Sequence, residues 1–500
     1  MSCTTILVGK KASYDGSTMI ARNDDASAGH FTPKKMAVGG EGIPQNPYRS
    51  VLSHVELTLP EHAFRFSMTP NALEGKGLWA AAGVNEKNVG MTATETIASN
   101  ERVLGADPLV RLVPEKDGKP ERPGGIGEED LLLLVLPYVE SAREGVLRLG
   151  SLLAQHGTYE MNGIAISDKD EIWWMETIGG HHWIAKRVPD EACVVMPNQN
   201  GIDSFDLTDA FGEKRAHLCS EDLLDFIRDN HLDLQRKPDP VHFDARLAFG
   251  TRSDSDHVYN TPRAWYMLLR LLPSQRQLYE GQNARYFPES DDLPWCVLPD
   301  RKITPEDIKY LLSSHYQGTA YDVYSAFGDR SRGGMYRPIG VNRTDFLGMI
   351  QIRPDLPDGF RSLEWIAFGS NVFNAMIPLY PNVRSFPDYL TGTGEEVSTE
   401  SFYWVSRLIG ALADASMGRC LIHIERYQNA ASSRARGILR EADREMLELG
   451  DQEMTAYLEK TEAANEKIVS MIREEAGKVL DKVLFERSMG MKNSYARPDA

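Results

Sequence analysis

The chain opens on two short strand-like runs. "CTTILVG" and "GSTMIAR" carry apolar residues among small and β-branched ones, and "KKASYD" between them has turn character. Together they predict a β-hairpin. A register that pairs Thr4 with Ala21 and Gly9 with Gly16 sets Cys3 opposite Arg22. "GLWAAAGVNEKNVGMTATET" repeats the pattern around the turn-like "NEKN".

Residues 98–128 show little periodicity and hold the Gly/Pro-rich "PEKDGKPERPGGIG", which predicts a long loop. "GEEDLLLLVLPYVESAREGVLRLGSLLAQHG" reads as helix, with Glu128, Glu129 and Asp130 in its first turn and Pro137 kinking it. A β meander follows: "NGIAIS", "EIWWMETI", "HHWIAKRV" and "ACVVMP", with Gly179-Gly180 as a two-residue hairpin turn. Helices are predicted around 206–231 and from Pro262 to about 272, and a second group of strands within 330–385. From about 396 the chain is charged and helical. Met454, Tyr457, Leu458, Ile468, Ile472, Val479, Leu480 and Val483 recur at helical spacing, and Gly450 separates two helices.

Composition narrows the class. The chain has 500 residues, 42% of them hydrophobic and 25% charged, which allows a sizeable core. A net charge of −17 disfavours nucleic acid and anionic membranes as partners. The five cysteines form no CxxC pair, which points to a reducing compartment. "TTILVG" is too short for a signal-peptide core and "LLLLVLPYV" too short to span a bilayer, so a cytoplasmic location is expected.

The chemistry-bearing residues gather at the front. A cysteine with a free α-amino group is a compact catalyst: the thiolate attacks, and the amine, titrating near pH ~7.7–8.0, takes and returns the proton. Arg22 is placed to favour the thiolate or bind a substrate carboxylate, and Asp25 to hold an ammonium. Taken singly, Cys3 also reads as an incidental buried thiol, and Arg22 and Asp25 as solvated charges. Asn198 also reads as a turn residue after Pro197, and Arg263 as the start of a helix capped by "NTP".

Several long blocks in order change those odds. "CTTILVGKKAS", "AAGVNEKNVGMTATET", "GTYEMNG", "ETIGGHHWIA", "NTPRAWY", "SSHYQGT" and "RPIGVNR" resemble the bacterial cysteine dipeptidases. These are N-terminal-nucleophile (Ntn) hydrolases, related to penicillin V acylases, bile-salt hydrolases and secernins. The resemblance implies a four-layer αββα sandwich of two antiparallel sheets (α/β, α+β) with a helical C-terminal elaboration. It divides the chain into a catalytic domain over 3–395 and a packed helical extension over 396–500.

The resemblance also implies roles. Cys3 is the nucleophile, Arg22 and Asp25 flank it, and Asn198 donates to the oxyanion, a contact worth about 3 kcal/mol in the transition state. Arg263 and Asn85 border the substrate site. Because Ser2 stands before Cys3, exposing the amine requires removal of Met1 and Ser2, with Cys3 attacking the preceding carbonyl in an N-to-S shift. The implied activity is dipeptide hydrolysis through a thioester acyl-enzyme, with no cofactor or metal and with a homo-oligomeric assembly. Two alternatives stay open: an amidase for other acyl amides, of the penicillin V or bile-salt type, and a secernin-like binding protein with little catalysis. His181 and His182 are adjacent on a predicted strand and should point to opposite faces, so a structural role is expected of them. His315 is a possible supporting group.

Overall fold

Strand Thr4–Val8 is buried at every position, and so is Thr18–Asp25 beside it. Strands covered on both faces need a layer on each side, and the fold supplies both. The computed structural model describes residues 3–40, 46–92, 95–325, 328, 330–450 and 454–491. In its first sheet the strand order is Cys296–Val297, Cys193–Met196, Thr4–Val8, Thr18–Asp25, Thr344–Ile352, Ser362–Phe368 and Ile377–Leu379, all antiparallel. The opening hairpin thus sits in the middle of the sheet, and its second strand pairs with a segment over 300 positions away along the chain.

The second sheet runs His217–Cys219, His182–Arg187, Ile172–Ile178, Asn162–Ser167, Gly90–Thr92 and Ala82–Val84, with Glu95–Thr96 also pairing Asn162–Ser167. The two sheets lie face to face. At Gly90 the approach leaves no room for a side chain: an added Cβ would lie 2.6 Å from Ile350 Cγ2 of the first sheet. Helix Ala142–His156 covers the outer face of the second sheet. Helices Thr261–Leu271, Pro305–Leu312 and Phe402–Asp414 cover the first. This is the expected αββα sandwich of two antiparallel sheets.

The C-terminal region forms two long helices, Met417–Leu449 and Met454–Met489, packed along each other. Gly450 ends the first at φ +66°, a conformation that costs glycine little. Both helices contact edge strand Ile377–Leu379. The Asn465 side chain imitates a further strand there: it accepts from the Tyr380 N–H and donates to the Tyr380 carbonyl, each at 2.9 Å. A helix amide thereby occupies main-chain groups just past the sheet edge that could otherwise recruit another chain. Among the described residues, no helix is long and apolar enough to cross a membrane.

Several sequence expectations shift. The hairpin register is two residues from the expected one: Thr4 pairs Asn23 and Thr5 pairs Arg22. A shift of two preserves which face each side chain takes, so Arg22 still points toward Cys3. Part of the predicted 98–128 loop is helix Glu101–Ala106, capped by the Asn100 side chain. The predicted helical stretch 206–231 is interrupted by strand His217–Cys219. Pro137 does split its helix, into Glu128–Val135, a 3-10 turn and Ala142–His156.

Candidate active site

Cys3 stands at the head of the central hairpin and is fully buried. Beside it, Arg22 leaves strand Thr18–Asp25 and enters the space between the sheets. Its Nη2 lies 3.0 Å from Cys3 Sγ, 2.6 Å from Glu128 Oε1 and 3.2 Å from Asp24 Oδ1, and its Nη1 donates to the Ala81 carbonyl at 3.2 Å. Asp24 also pairs with Lys34 at 2.8 Å. The result is a buried, alternating set of charges around one thiol.

Burial pushes the Cys3 thiol up to about 12, against the pull of Arg22. Burial also works against the Arg22 charge, but Cys3, Glu128 and Asp24 outweigh it and hold Arg22 protonated. Asp24 is kept ionised despite its burial by Lys34 and Arg22.

The backbone of the same residue is gripped from the opposite side. Arg263, fully buried in helix Thr261–Leu271, donates through Nη1 to the Cys3 carbonyl and to Thr4 Oγ1, the latter at 2.6 Å. Its Nη2 reaches Asn198 Oδ1 and Asn260 Oδ1, each at 2.8 Å, and its Nε reaches the Tyr259 carbonyl at 2.5 Å. Burial, then repulsion from Arg337, lowers Arg263 to about 9, still charged at neutral pH.

Asn198 follows strand Cys193–Met196 and donates to the Thr96 carbonyl at 2.8 Å. Its loop is fixed by buried Glu176, which accepts from the Gly201 and Ile202 N–H groups and from Asn200. Asp25 bonds Arg337 and, at 2.5 Å, Thr344 Oγ1.

Four of the six residues singled out in the sequence are therefore linked side by side: Cys3, Arg22, Arg263 and Asn198. Asp25 faces Arg337 rather than the thiol. Asn85 closes its own turn, accepting from the Lys87 and Val89 N–H groups and donating to the Leu136 and Val139 carbonyls. Met1 and Ser2 lie outside the described residues.

The sequence reading overlooked Asp24, Lys34, Arg337 and Asn260, and gave Glu128 only a helix-dipole role. Arg337 had a signal, since it opens the "RPIGVNR" block. His181 and His182 both direct Nδ1 to Asp107, at 2.8 and 2.6 Å. The opposite-face argument misjudged this pair because His181 sits in the turn before the strand, where alternation does not hold. His315 bonds Asp322 at 2.7 Å.

Glu95 is a further buried acid of this region. It is fully enclosed, beside the Thr5 hydroxyl. Burial raises it from 4.5 to about 7, against the attraction of Arg263. A raised folded value means the stabilising contribution is full below the ordinary value and is lost as pH climbs through 7. Glu95→Gln is therefore expected to remove on the order of 1–3 kcal/mol of the stability loss between about pH 5 and pH 8. Urea unfolding of both proteins at the two pH values checks this; parallel pH dependences would reject it.

Comparison with known proteins identifies the setting of this site. Residues 2–430 match peptidase family C69. This chain belongs to that family. The C69 peptidases are the Ntn-type cysteine dipeptidases. Relatives align over nearly their whole lengths. A "Dipeptidase" of Bifidobacterium longum is 50% identical, with 100% of both chains covered. A "Probable dipeptidase A" of Streptococcus pyogenes is 48% identical, covering 100% of this chain and 98% of its own. "Dipeptidase A" of Lactobacillus helveticus is 39% identical, covering 97% and 96%. As a C69 member the chain is a peptidase.

Proposed function

We propose that this C69 peptidase hydrolyses dipeptides, with Cys3 as nucleophile once Met1 and Ser2 have been removed. The observation that carries the reading is the double hold on Cys3: its sulfur lies 3.0 Å from Arg22, and its carbonyl is bound by Arg263, which also holds Asn198. The names of the relatives support the substrate class.

The chemistry follows from the groups present. While a peptide bond precedes Cys3, its nitrogen is an amide and cannot act as a base. The thiol is then protonated at neutral pH, consistent with its high value. In maturation, the Cys3 sulfur attacks the Ser2 carbonyl, the Ser2–Cys3 bond breaks and the α-amine is freed. Water then hydrolyses the thioester and releases the leader as a carboxylate. In turnover the free amine accepts the thiol proton, and Arg22 favours the thiolate. Sulfur attacks the dipeptide carbonyl, and the Asn198 amide stabilises the oxyanion. The amine returns the proton to the leaving amino acid, and water resolves the acyl-enzyme.

Intact-mass measurement combined with a dipeptide panel tests the reading. The active protein is expected to begin at Cys3. An active protein that keeps Ser2 would exclude the α-amine as base. Preferential turnover of penicillin V or a conjugated bile acid would replace the dipeptide assignment by the amidase one.

A further inference from the structure

A cavity of about 830 Å³ opens beside the nucleophile's supports. Its wall includes Tyr259, whose carbonyl holds Arg263, and Arg337, which holds Asp25. Much of the remaining lining is apolar, including Val258, Val372 and Phe373. Its acidic, basic and imidazole lining residues are Arg337, Arg343, Arg407, His315 and Asp414.

Four of them are engaged with partners. Arg337 pairs with Asp25. Arg407 pairs with Asp345 and also reaches the Asn342 carbonyl and Tyr403. His315 bonds Asp322, and Asp414 accepts from Tyr324 at 2.5 Å. Arg343 is different. Its Nε donates to the Ala26 carbonyl at 2.8 Å, which fixes the side chain, but among the described residues neither terminal nitrogen has a hydrogen-bond or carboxylate partner.

Charge accounting gives the same answer. Asp25 is already taken up by its ion pair with Arg337, and among the described residues no carboxylate pairs with Arg343. Burial, then repulsion from Arg337, makes the Arg343 charge costly, and Asp25 and the Cys3 sulfur are near enough to act on it. A small anion with planar geometry would relieve that cost, and a guanidinium with two open nitrogens matches a carboxylate.

We infer that Arg343 is the specificity-determining residue that binds the α-carboxylate of the substrate's second residue. The assignment rests on the dipeptidase reading and deepens it. It identifies the cleaved peptide as one ending in a free acid one residue beyond the scissile bond. Arg22 and Arg263 are unsuited to this task, because their terminal nitrogens already hold protein atoms in buried surroundings.

The test compares mature wild type with Arg343→Gln and Arg343→Lys. The substrates are the best-cleaved dipeptide of a panel and its C-terminal amide. Wild type is expected to favour the acid strongly. Arg343→Gln should lower kcat/KM on the acid by about tenfold to a hundredfold, mainly through KM, because the carboxylate contact is the same in ground and transition states. Its rate on the amide should stay near that of wild type, which also shows that the variant folds. Arg343→Lys should recover part of the loss.

Equal losses on acid and amide would make Arg343 merely structural and overturn the assignment. So would an unaffected Arg343→Gln, or a wild type that cleaves acid and amide alike. A panel in which mature wild type cleaves no dipeptide would instead bring down the dipeptidase reading, and this inference with it.

Discussion

Cys3→Ala is expected to abolish dipeptide hydrolysis, with a fall of about 10,000-fold or more, and to leave Ser2 in place on the chain. Both losses share one cause on the proposed mechanism: the same sulfur opens the Ser2–Cys3 bond and forms the acyl-enzyme. The fold should survive. Alanine fits the buried site with a small void, and Arg22 keeps Glu128 and Asp24 as partners. A stability cost of about 1–2 kcal/mol is expected. Intact mass, a dipeptide assay and urea unfolding read the three consequences separately. A Cys3→Ala protein that cleaves dipeptides at the wild-type rate would remove Cys3 from the mechanism.

Arg22→Met is the second large effect, and it falls on stability as well as activity. The variant leaves Glu128 and Asp24 without their shared guanidinium in a region where both are almost fully enclosed. Breaking a buried pair by deleting one partner costs about 3–5 kcal/mol. The thiol also loses a cation within hydrogen-bond distance, so the thiolate becomes harder to reach. A second change separates the two roles. Arg22→Met combined with Glu128→Leu removes the stranded carboxylate, and should recover part of the stability without recovering turnover. Denaturant midpoints and kcat/KM on one dipeptide distinguish these outcomes. If the double variant regained activity, Arg22 would matter only as a counter-ion for Glu128.

What could be read in the sequence was what depends on neighbours along the chain. The meander from Asn162 to Arg187 was legible because alternation and short polar turns mark it directly. The expected fourth strand, Cys193–Met196, instead crosses to the other sheet and pairs with Thr4–Val8, a choice between layers that local alternation does not encode. Pro137 and Gly450 announced their breaks for backbone reasons alone. The hairpin register was less accessible, since pairing with Thr344–Ile352 and Cys193–Met196 on either side fixes it more than the turn does. The site divides in the same way. Cys3, Arg22, Asn198 and Arg263 stood out through blocks resembling a known family. Glu128 and Lys34 look like ordinary surface charges locally, and only the packing of the second layer brings them to Arg22 and Asp24. Arg343 was visible inside a quoted block, but its open valence is a property of the cavity, not of the block.

The clamp on the Cys3 carbonyl has a consequence for biosynthesis. The arginine that holds it lies 260 positions downstream, and Thr344, which bonds Asp25, lies 319 positions beyond that aspartate. Contacts so distant in the chain form late, because closing such loops must wait for both ends. A ribosome makes the thiol well before the groups that align it, which follow 260 and more positions later. On the proposed mechanism the nascent chain therefore carries a dormant nucleophile. Its activation is timed by completion of the sandwich, so that a peptidase acting on small peptides becomes competent only as a finished molecule.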